Sequence, residues 1–375
     1  METNLYLSSS LRQIEARHSD EALMQRAGTA AAEWATTLAT DRNQPVLVLA
    51  GPGNNGGDAF EAAYLLRQKF FDVRVVFAGN PGSLPKDAAG AYQRFVDSGG
   101  TTSESIPAET RWSLIIDGLF GIGLTRPVEG GYAEWISTAN QLKQRDACPL
   151  LALDCPSGLN ADTGMTLGDT ICASHTITFI AAKPGLLTGD GPDHSGEIRV
   201  ANLELKPEIN QQPDGKRLTL TDFSAHLKAR LKNSHKGSFG SLGILGGAPS
   251  MTGAAFLAGR AALMLGAGRV YLGLVDSHAP AFDPLQPELM LRHAQSLLQT
   301  KLDAMACGPG LGVSLQASEM LECAVDLDLP LVLDADAINL IASEGNLQVA
   351  LASRPLPAIL TPHPTEAARL LDCST

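Results

Sequence analysis

The feature that most constrains the fold of this chain is a continuous apolar run, Val46–Ala50, which leads directly into a glycine-rich loop. A strand that is apolar at every position must be covered on both faces, as the strands of parallel sheets are. The rest of the chain alternates short apolar runs with amphipathic helical segments. This alternation predicts an α/β fold built on a Rossmann-like, doubly wound parallel sheet.

Chain length and a polar stretch indicate two domains. The 375 residues fit two domains of about 100–200 residues each. Residues 206–217 are polar and contain two prolines, so we place a first domain at 1–210, a linker at 211–217 and a second at 218–375. Apolar periodicity predicts one helix over 8–40 and a further helix over 222–231.

Charge and composition exclude several classes of protein. A net charge of -12 opposes nucleic-acid binding, for which Lys and Arg must neutralise phosphates. The sequence contains neither an apolar stretch long enough to span a membrane nor a signal-peptide pattern at its start. The six cysteines form no C-x-x-C pair, which argues against a zinc site or a disulfide framework. We therefore expect a cytoplasmic, homo-oligomeric enzyme that acts on a small molecule and binds neither nucleic acid nor membrane.

The loop Gly51–Asp58 (GPGNNGGD) matches the G-x-G-x-x-G pattern of dinucleotide-binding proteins. Its glycines let a phosphate approach the backbone, and the helix that follows offers free N–H groups. Hydride-transferring enzymes of this type place an acidic residue at the end of the second strand. Here that strand ends in FAGN at 77–80, without a carboxylate, which disfavours hydride transfer. Tight packing of strand against helix is the alternative reason for these glycines.

Charged residues end three further predicted strands. Asp117, Asp154 and Lys183 each stand where an apolar run meets a glycine-containing loop. Ligands of open parallel sheets bind beyond the carboxyl ends of the strands, so these side chains should converge with Gly51–Asp58 on one edge. Each aspartate alone could instead cap a helix, and Asp154 could form a purely structural salt bridge with Lys183.

GPGNNGGD, the segment 117–124, DCPSGL at 154–159 and AAKPG at 181–185 together resemble the NAD(P)H-hydrate epimerase family, from about Leu5 to Leu205. The resemblance implies that the first domain interconverts the R and S epimers of hydrated NADH or NADPH. It implies that Asp154 is the catalytic acid–base residue and that Lys183 assists it. It also implies a potassium ion held by Asn55, Asp117 and Ser157, whose oxygen atoms suit a hard cation.

The same resemblance implies which residues contact the hydrated dinucleotide. Two loops would hold its phosphates, and Tyr132 and Asp154 would complete the site. The loop residues are Asn54, Asn55, Gly56, Gly57, Asp58, Gly121, Ile122, Gly123, Leu124, Thr125, Arg126 and Pro127.

Glycine-rich loops also mark the second domain. They are KGSFG at 236–240, LGGAP at 245–249 and GPGLG at 308–312, and the proline-flanked His363 follows them. This order resembles the ADP- or ATP-dependent NAD(P)H-hydrate dehydratase family, which has a ribokinase-like α/β fold, from about Lys236 to Asp372. The resemblance implies that Ala254, Gly312 and His363 contact the hydrated nucleotide and that ADP or ATP is the cofactor.

One part of the family pattern is missing. In the dehydratase family a Gly-x-Gly-Asp segment that serves the nucleotide follows the histidine loop, and none occurs after His363 here. We therefore expect nicotinamide nucleotide repair by an epimerase joined to an incomplete ribokinase-like domain, and no dehydration by these residues alone. Two other interpretations stay open: a ribokinase-type small-molecule kinase and a non-catalytic nucleotide-binding scaffold.

Overall fold

The computed structural model of the chain describes residues 4–19, 21–205, 212–227 and 229–374. By their internal contacts the residues divide into two compact units, Met1–Leu227 and Lys228–Thr375. None of the helices in these described ranges is both long enough and apolar enough to cross a lipid bilayer.

The first unit contains six α-helices and nine strands among its described residues. The helices are α1 (Ser8–Arg17), α2 (Leu23–Leu38), α3 (Asn54–Gln68), α4 (Lys86–Asp97), α5 (Gly131–Asp146) and α6 (Gly191–Ser195). The strands are β1 (Asn4–Leu5), β2 (Val46–Ala50), β3 (Val73–Val76), β4 (Thr102–Ser103), β5 (Leu114–Gly118), β6 (Leu150–Leu153), β7 (His175–Phe179), β8 (Glu197–Ala201) and β9 (Gly215–Lys216).

Seven of these strands form one parallel sheet in the order β4-β3-β2-β5-β6-β7-β8. The chain runs outward from β2 to β4 on one side and then from β5 to β8 on the other, so the strand order reverses between β2 and β5. The carboxyl ends of these two strands therefore open a crevice, the usual ligand position in doubly wound folds. The predicted Rossmann-like parallel sheet is confirmed.

Alternation of side chains along β2 explains how helices cover both faces of the sheet. Val46 and Val48 pack in one core with residues of α2, α3 and α4. Leu47 and Leu49 pack in another with Trp135 of α5. All four β2 side chains are completely buried, and burial of each contributes about 1.5–3 kcal/mol.

The predicted single helix over 8–40 is wrong at its centre. The chain forms α1, leaves the helical path between residues 18 and 22, and resumes as α2. Ala22 has a left-handed φ of 53°, which an L-residue cannot keep within a right-handed helix. A contact of 2.6 Å between His18 Nδ1 and Glu21 Oε1 closes the break. This break separates α1, which reaches the crevice, from α2, which packs with α3.

Residues near the end of the first unit pair with residues near its start. β9 pairs antiparallel with β1, and Asp214 Oδ2 accepts a hydrogen bond from the backbone N–H of Leu7 at 2.8 Å. Of the predicted linker, residues 214–216 thus contact the start of the chain, and residue 211 lies outside the described residues. The predicted helix over 222–231 is wrong in its described part. A single 3-10 turn, Leu220–Phe223, is capped by Thr219 and leads into further turns.

The second unit is also a parallel α/β structure. Its strands are β10 (Ser241–Gly246), β11 (Arg269–Leu274), β12 (Met290–His293), β13 (Ala304–Cys307), β14 (Leu331–Leu333) and β15 (Ala358–Leu360). Its helices are α7 (Thr252–Met264), α8 (Ala294–Leu298), α9 (Leu315–Val325), α10 (Asp336–Ser343), α11 (Gly345–Ala352) and α12 (Pro364–Leu371). The strand order is β12-β11-β10-β13-β14-β15, so it reverses between β10 and β13. The predicted second α/β domain is confirmed.

Candidate active site

A cavity of about 550 Å³ opens at the carboxyl ends of β2 and β5 in the first unit. The loop after β2 with the first turn of α3, the loop after β5, the end of β6 and the helix α1 all contribute to its wall. Ten of the predicted contact residues line it. They are Asn54, Asn55, Asp58, Gly121, Ile122, Gly123, Leu124, Thr125, Arg126 and Asp154.

Two glycines after β2 are required by close backbone contacts. A Cβ at Gly51 would lie 1.8 Å from the carbonyl oxygen of Leu119, and a Cβ at Gly56 would lie 1.9 Å from that of Gly51. The loops after β2 and β5 therefore touch through their backbones. Gly53 precedes α3 without a side-chain cap, so the first N–H groups of this helix are available to an anion at the cavity.

Asp154 and Lys183 form a buried ion pair at the cavity wall. The Lys183 Nζ lies 2.5 Å from Asp154 Oδ1, and it also contacts Thr178 Oγ1 at 2.6 Å and the Phe179 carbonyl at 3.1 Å. These three acceptors match the three donors of an ammonium group. Asp154 Oδ2 accepts a hydrogen bond from the N–H of Ile122 at 3.1 Å. The carboxyl group is thereby held from two sides while it borders the cavity.

The same kind of tight turn follows β6, where it contains Asp154, and β7, where it lies just before Lys183. At each strand end an N–H bonds to the carbonyl two residues earlier, which closes a three-residue turn around Asp154 after β6 and around Ile180 after β7. Their φ angles are 65° and 66°. A non-glycine residue in this region costs about 1–3 kcal/mol, and such strain is concentrated at functional sites.

Asp117 and Ser157, two of the predicted potassium ligands, are bonded to each other. Asp117 is completely buried at the end of β5, and it accepts hydrogen bonds from the Ser157 N–H at 2.8 Å and the Ser157 Oγ at 2.7 Å. Burial raises the pKa of Asp117 to about 6. No Lys or Arg of the described ranges forms an ion pair with Asp117. The charged carboxylate is therefore stabilised by hydrogen bonds alone, without a counter-ion.

Asn55, the third predicted ligand, has an unsatisfied side chain. It is 7% exposed, and neither its Oδ1 nor its Nδ2 has a hydrogen-bond partner among the described residues. A buried polar group without a partner costs about 1–3 kcal/mol. The segment after β5 connects the three residues, because Gly121 lies against the Asn55 amide and the Phe120 N–H donates to Ser157 Oγ at 2.9 Å. An unpartnered amide oxygen near a carboxylate without a counter-ion fits a cation.

Two further carboxyl groups border the cavity, Glu15 from α1 and Asp58 from α3. Burial raises the pKa of Glu15 above its usual range, and the neighbouring Asp154 raises it further. Burial likewise raises the pKa of Asp58 well above its usual range, and Asp154 and Glu15 add to this shift. These carboxyls therefore hold a proton at higher pH than free carboxyls do.

Some predicted contact residues stand behind the cavity surface. Gly56 and Gly57 are buried, and a Cβ at Gly57 would lie 2.6 Å from the Met24 side chain, so this glycine allows helix packing. Pro127 is absent from the cavity lining, as is Tyr132, which packs edge-on against Phe120 with ring centroids 5.2 Å apart.

Outside the loops that the sequence pointed to, sequence reasoning missed three side chains that reach the cavity: Arg12 and Glu15 of α1, and Phe179 at the end of β7. The helical spacing of apolar residues gave a weak indication for Arg12 and Glu15. Leu11 and Ile14 are three residues apart and buried, so Arg12 and Glu15 share the adjacent helix face. This spacing does not show that the helix face with Arg12 and Glu15 meets the cavity, because the position of α1 depends on tertiary packing.

In the second unit, Ala254 lies in the first turn of α7 and Gly312 lies in the loop after β13, both at the carboxyl end of the sheet. The N–H of Ala248, after β10, donates to the Gly310 carbonyl, after β13, at 2.6 Å. The Gly312 N–H donates to Asp336 Oδ2 at 2.8 Å. A Cβ at Gly310 would lie 3.2 Å from the Cβ of Ala254 in α7, so the start of α7 and the loop after β13 are in close contact.

His363 follows β15 at the same end of this sheet and caps α12. Its Nδ1 accepts a hydrogen bond from the Glu366 N–H at 3.4 Å, and its Nε2 lies 3.1 Å from Glu366 Oε1. Thr361 Oγ1 donates to Asp334 Oδ1 at 2.8 Å, which holds the loop beside β14. The imidazole is 59% exposed. Within the described ranges, no hydrogen bond joins it to the start of α7 or to the loop that carries Gly312.

Replacing Gly56 by alanine should destabilise the first unit, whereas the same change at Gly53 should not. The new Cβ at Gly56 would clash with the backbone carbonyl of Gly51, which cannot move without distorting the loop. We therefore expect the free energy of unfolding to fall by about 1–3 kcal/mol. Open space surrounds Gly53, so Gly53→Ala should cost a few tenths of a kcal/mol at most, roughly as other N-cap glycine exchanges do. Urea unfolding followed by tryptophan fluorescence reports on this unit, because Trp34, Trp112 and Trp135 all lie in it. Equal stability of the two variants would contradict the contact.

Comparisons with known proteins agree with this arrangement. Residues 20–185 match the family model "YjeF-related protein N-terminus", and residues 242–375 match the model "NAD(P)H-hydrate dehydratase". The chain is 36% identical to the bifunctional NAD(P)H-hydrate repair enzyme of Escherichia coli over 94% of this chain and 67% of the relative. It is 35% identical to that of Coxiella burnetii over 99% of this chain and 76% of the relative.

A crystal structure of the Bacillus subtilis ADP/ATP-dependent NAD(P)H-hydrate dehydratase, obtained with ATP and Mg²⁺, is 29% identical. The match covers 41% of this chain and 55% of that one, with a TM-score of 0.33. The sequence relatives above, each at least 30% identical over two thirds or more of its own length, decide the assignment. The chain belongs to the bifunctional NAD(P)H-hydrate repair enzyme family.

Proposed function

We propose that the first unit interconverts the R and S epimers of hydrated NADH and NADPH, with Asp154 as the acid–base residue. The observation that best supports this role is the Asp154–Lys183 pair, in which one carboxyl oxygen is fixed by a buried ammonium group. The carboxyl borders a cavity of about 550 Å³, a size typical of small-molecule sites. A carboxylate held in this way can accept a proton from, or return one to, a hydroxyl on the substrate ring. Lys183 orients Asp154 through the contact between its Nζ and Asp154 Oδ1.

The two loops that line the cavity are proposed to hold the substrate phosphates. The segment Gly121–Arg126 offers glycine backbone and one guanidinium group, and the uncapped start of α3 offers N–H groups from Asn54 onward. These groups provide a local positive field in a chain whose net charge is -12. Tyr132 would act through the Phe120 ring that it supports.

We propose that Asn55, Asp117 and Ser157 hold a potassium ion. The unpartnered Asn55 amide and the buried, uncompensated Asp117 carboxylate support this choice, since carboxylate, amide and hydroxyl oxygens suit hard cations. When bound, the ion would supply positive charge beside the anionic substrate.

For the second unit we propose that Ala254, Gly312 and His363 contact the hydrated nucleotide and that ADP or ATP is the co-substrate. Membership of a repair-enzyme family supports this over a ribokinase-type kinase or a non-catalytic scaffold. The cytoplasmic location, the homo-oligomeric state and the domain boundaries stay predictions from the sequence.

Asp154→Asn should abolish epimerisation and leave substrate binding measurable. Loss of the acid–base group is expected to lower kcat by about 10²–10⁴-fold, because the amide keeps the shape of the side chain but cannot exchange the proton. The assay follows conversion of the R epimer to the S epimer chromatographically. Asp193→Asn, an exposed change in α6, is the matched control and should keep the wild-type rate. Wild-type turnover by Asp154→Asn would refute the assignment.

Potassium should stabilise the first unit specifically. The melting temperature should be higher in KCl than in LiCl at equal ionic strength, because a ligand that binds only the folded state adds RT ln(1 + [L]/Kd) to stability. Each kcal/mol corresponds to about 2–4 °C for a unit of this size. Asn55→Leu removes the amide oxygen at similar volume, and this variant should melt at the same temperature in both salts. Identical melting of the wild type in the two salts would exclude the site.

His363→Ala should weaken binding of the hydrated nucleotide to the second unit. Titration calorimetry of the whole chain with the S epimer should show two binding events, and the change should lower one affinity by about tenfold, the equivalent of one hydrogen bond. His278→Ala is the control, because the His278 side chain is 95% exposed. Unchanged affinities at both sites, with α12 intact by circular dichroism, would show that His363 only caps the helix.

A further inference from the structure

The helix α1 is fastened over the cavity as part of its wall. Ser8 at its start donates two hydrogen bonds to Asp162 Oδ1, from N–H at 2.7 Å and from Oγ at 2.8 Å. Leu11 and Ile14 are 1% and 2% exposed in the core. These anchors fix the helix face that carries Arg12 and Glu15, and both residues border the cavity. Glu15 therefore faces any ligand from a different element than Asp154 does.

The Glu15 carboxyl is free of the contacts that restrain Asp154. Its side chain makes no hydrogen bond and no ion pair within the described ranges, although it is partly buried. The charged groups that influence it are Arg12 on its own helix, Asp58 on α3, and Asp154 and Lys183 at the ends of β6 and β7. A half-buried carboxyl without a protein partner is available to a substrate.

Epimerisation at a hydroxylated ring carbon has a requirement that one carboxyl cannot easily meet. If the hydroxyl leaves from one face of the ring and water returns to the other, a proton must be given at the first face and taken at the second. A general acid or base acts only within hydrogen-bond reach of the proton that it transfers. A single residue would serve both faces only if the ring turned over within the site.

We propose that Glu15 is a second catalytic residue of the first unit and serves the ring face that Asp154 does not reach. The proposal rests on the epimerase function proposed above. In one direction the Glu15 carboxyl donates its proton to the ring hydroxyl. The C–O bond breaks, its electron pair leaves with water, and the ring nitrogen lone pair forms a C=N⁺ bond. Water then adds from the other face, the new C–O bond forms, the nitrogen regains its lone pair, and Asp154 accepts the proton. The reverse direction exchanges the two roles.

The environment of the two carboxyls agrees with this division of roles. Burial and the nearby Asp154 raise the pKa of Glu15 above its usual range, which is the direction that suits a proton donor. Asp154, in contrast, is held by the Lys183 ammonium group at 2.5 Å from its Oδ1 and by the Ile122 N–H at its Oδ2, so its carboxyl keeps one position at the cavity wall. Two carboxyls in different environments of one cavity suit a proton donor and a proton acceptor.

The test is Glu15→Gln in the whole chain, assayed in H₂¹⁸O with each epimer of hydrated NADH separately. Chromatography measures inversion, and mass spectrometry measures exchange of the ring hydroxyl oxygen. Inversion should fall by about 100-fold or more in both directions. The epimer whose hydroxyl faces Asp154 should still exchange its oxygen without inverting, and the other epimer should not exchange. Glu15→Asp should recover part of the inversion rate. Glu33→Gln, an exposed change on α2, should behave as the wild type.

The outcomes separate this proposal from the function on which it rests. A wild-type chain that does not invert either epimer overturns both. A wild-type chain that inverts, together with a Glu15→Gln variant that inverts at the same rate, overturns the role of Glu15 and leaves the epimerase function standing. The Glu15→Gln variant could also lose both inversion and oxygen exchange for both epimers while it melts at the wild-type temperature. That result overturns the assignment of Glu15 and Asp154 to opposite faces of the ring.

Discussion

The burial of the Lys183 ammonium group determines how the edge of the sheet at the candidate active site is built. With 1% of its side chain exposed, this group must find acceptors within the protein, because an unpaired buried charge is very costly. The preceding strand β7 supplies two of them, and Asp154, directly after β6, supplies the third. Removing one partner of such a pair typically costs about 3–5 kcal/mol. The relative position of the β6 and β7 turns, and hence of Asp154 in the cavity, follows from this single requirement.

Around that pair, the cavity keeps polar groups that the protein does not satisfy by itself. The Asn55 amide is unpartnered among the described residues, and Asp117 carries a buried charge without a counter-ion. Each such group lowers stability, by about 1–3 kcal/mol for a polar group. The strained backbone at Asp154 adds a cost of the same order. A folded chain tolerates several such costs at one place when a bound ion or ligand supplies the missing partners, so their coincidence locates the site more firmly than any one of them does.

The sequence predicted the strands and the residues at their ends because both follow from local rules. A parallel sheet buries whole apolar runs and brings their carboxyl ends to one edge, so Asp117 and Asp154 could be placed before the fold was known. The position of α1 could not be predicted, because its break from α2 depends on one left-handed residue, Ala22. Glu15 was missed for the same reason, since only the packed helix shows which face meets the cavity.

The wrong helix over 222–231 has a different physical origin. Leu220, Phe223, Leu227 and Leu231 recur at helical spacing, yet they are 80%, 43%, 62% and 81% exposed. Periodicity stabilises a helix only when a core buries the apolar stripe, and none does so here.

The two units place similar loops at the same edge of similar sheets, but they use their carboxylates differently. In the second unit, Asp334 accepts a hydrogen bond from Thr361, and Asp336 accepts one from the Gly312 backbone. These aspartates tie neighbouring loops together and shape a surface of backbone and glycine. In the first unit, Glu15 and Asp58 keep their carboxyls free of hydrogen bonds to the described residues, and Asp154 is held by an ammonium group beside the cavity. Backbone surfaces bind phosphates and rings, whereas proton transfer needs titratable groups that a substrate can reach. At the cavity of the first unit Glu15, Asp58 and Asp154 meet that requirement, whereas in the second unit the exposed imidazole of His363 does so.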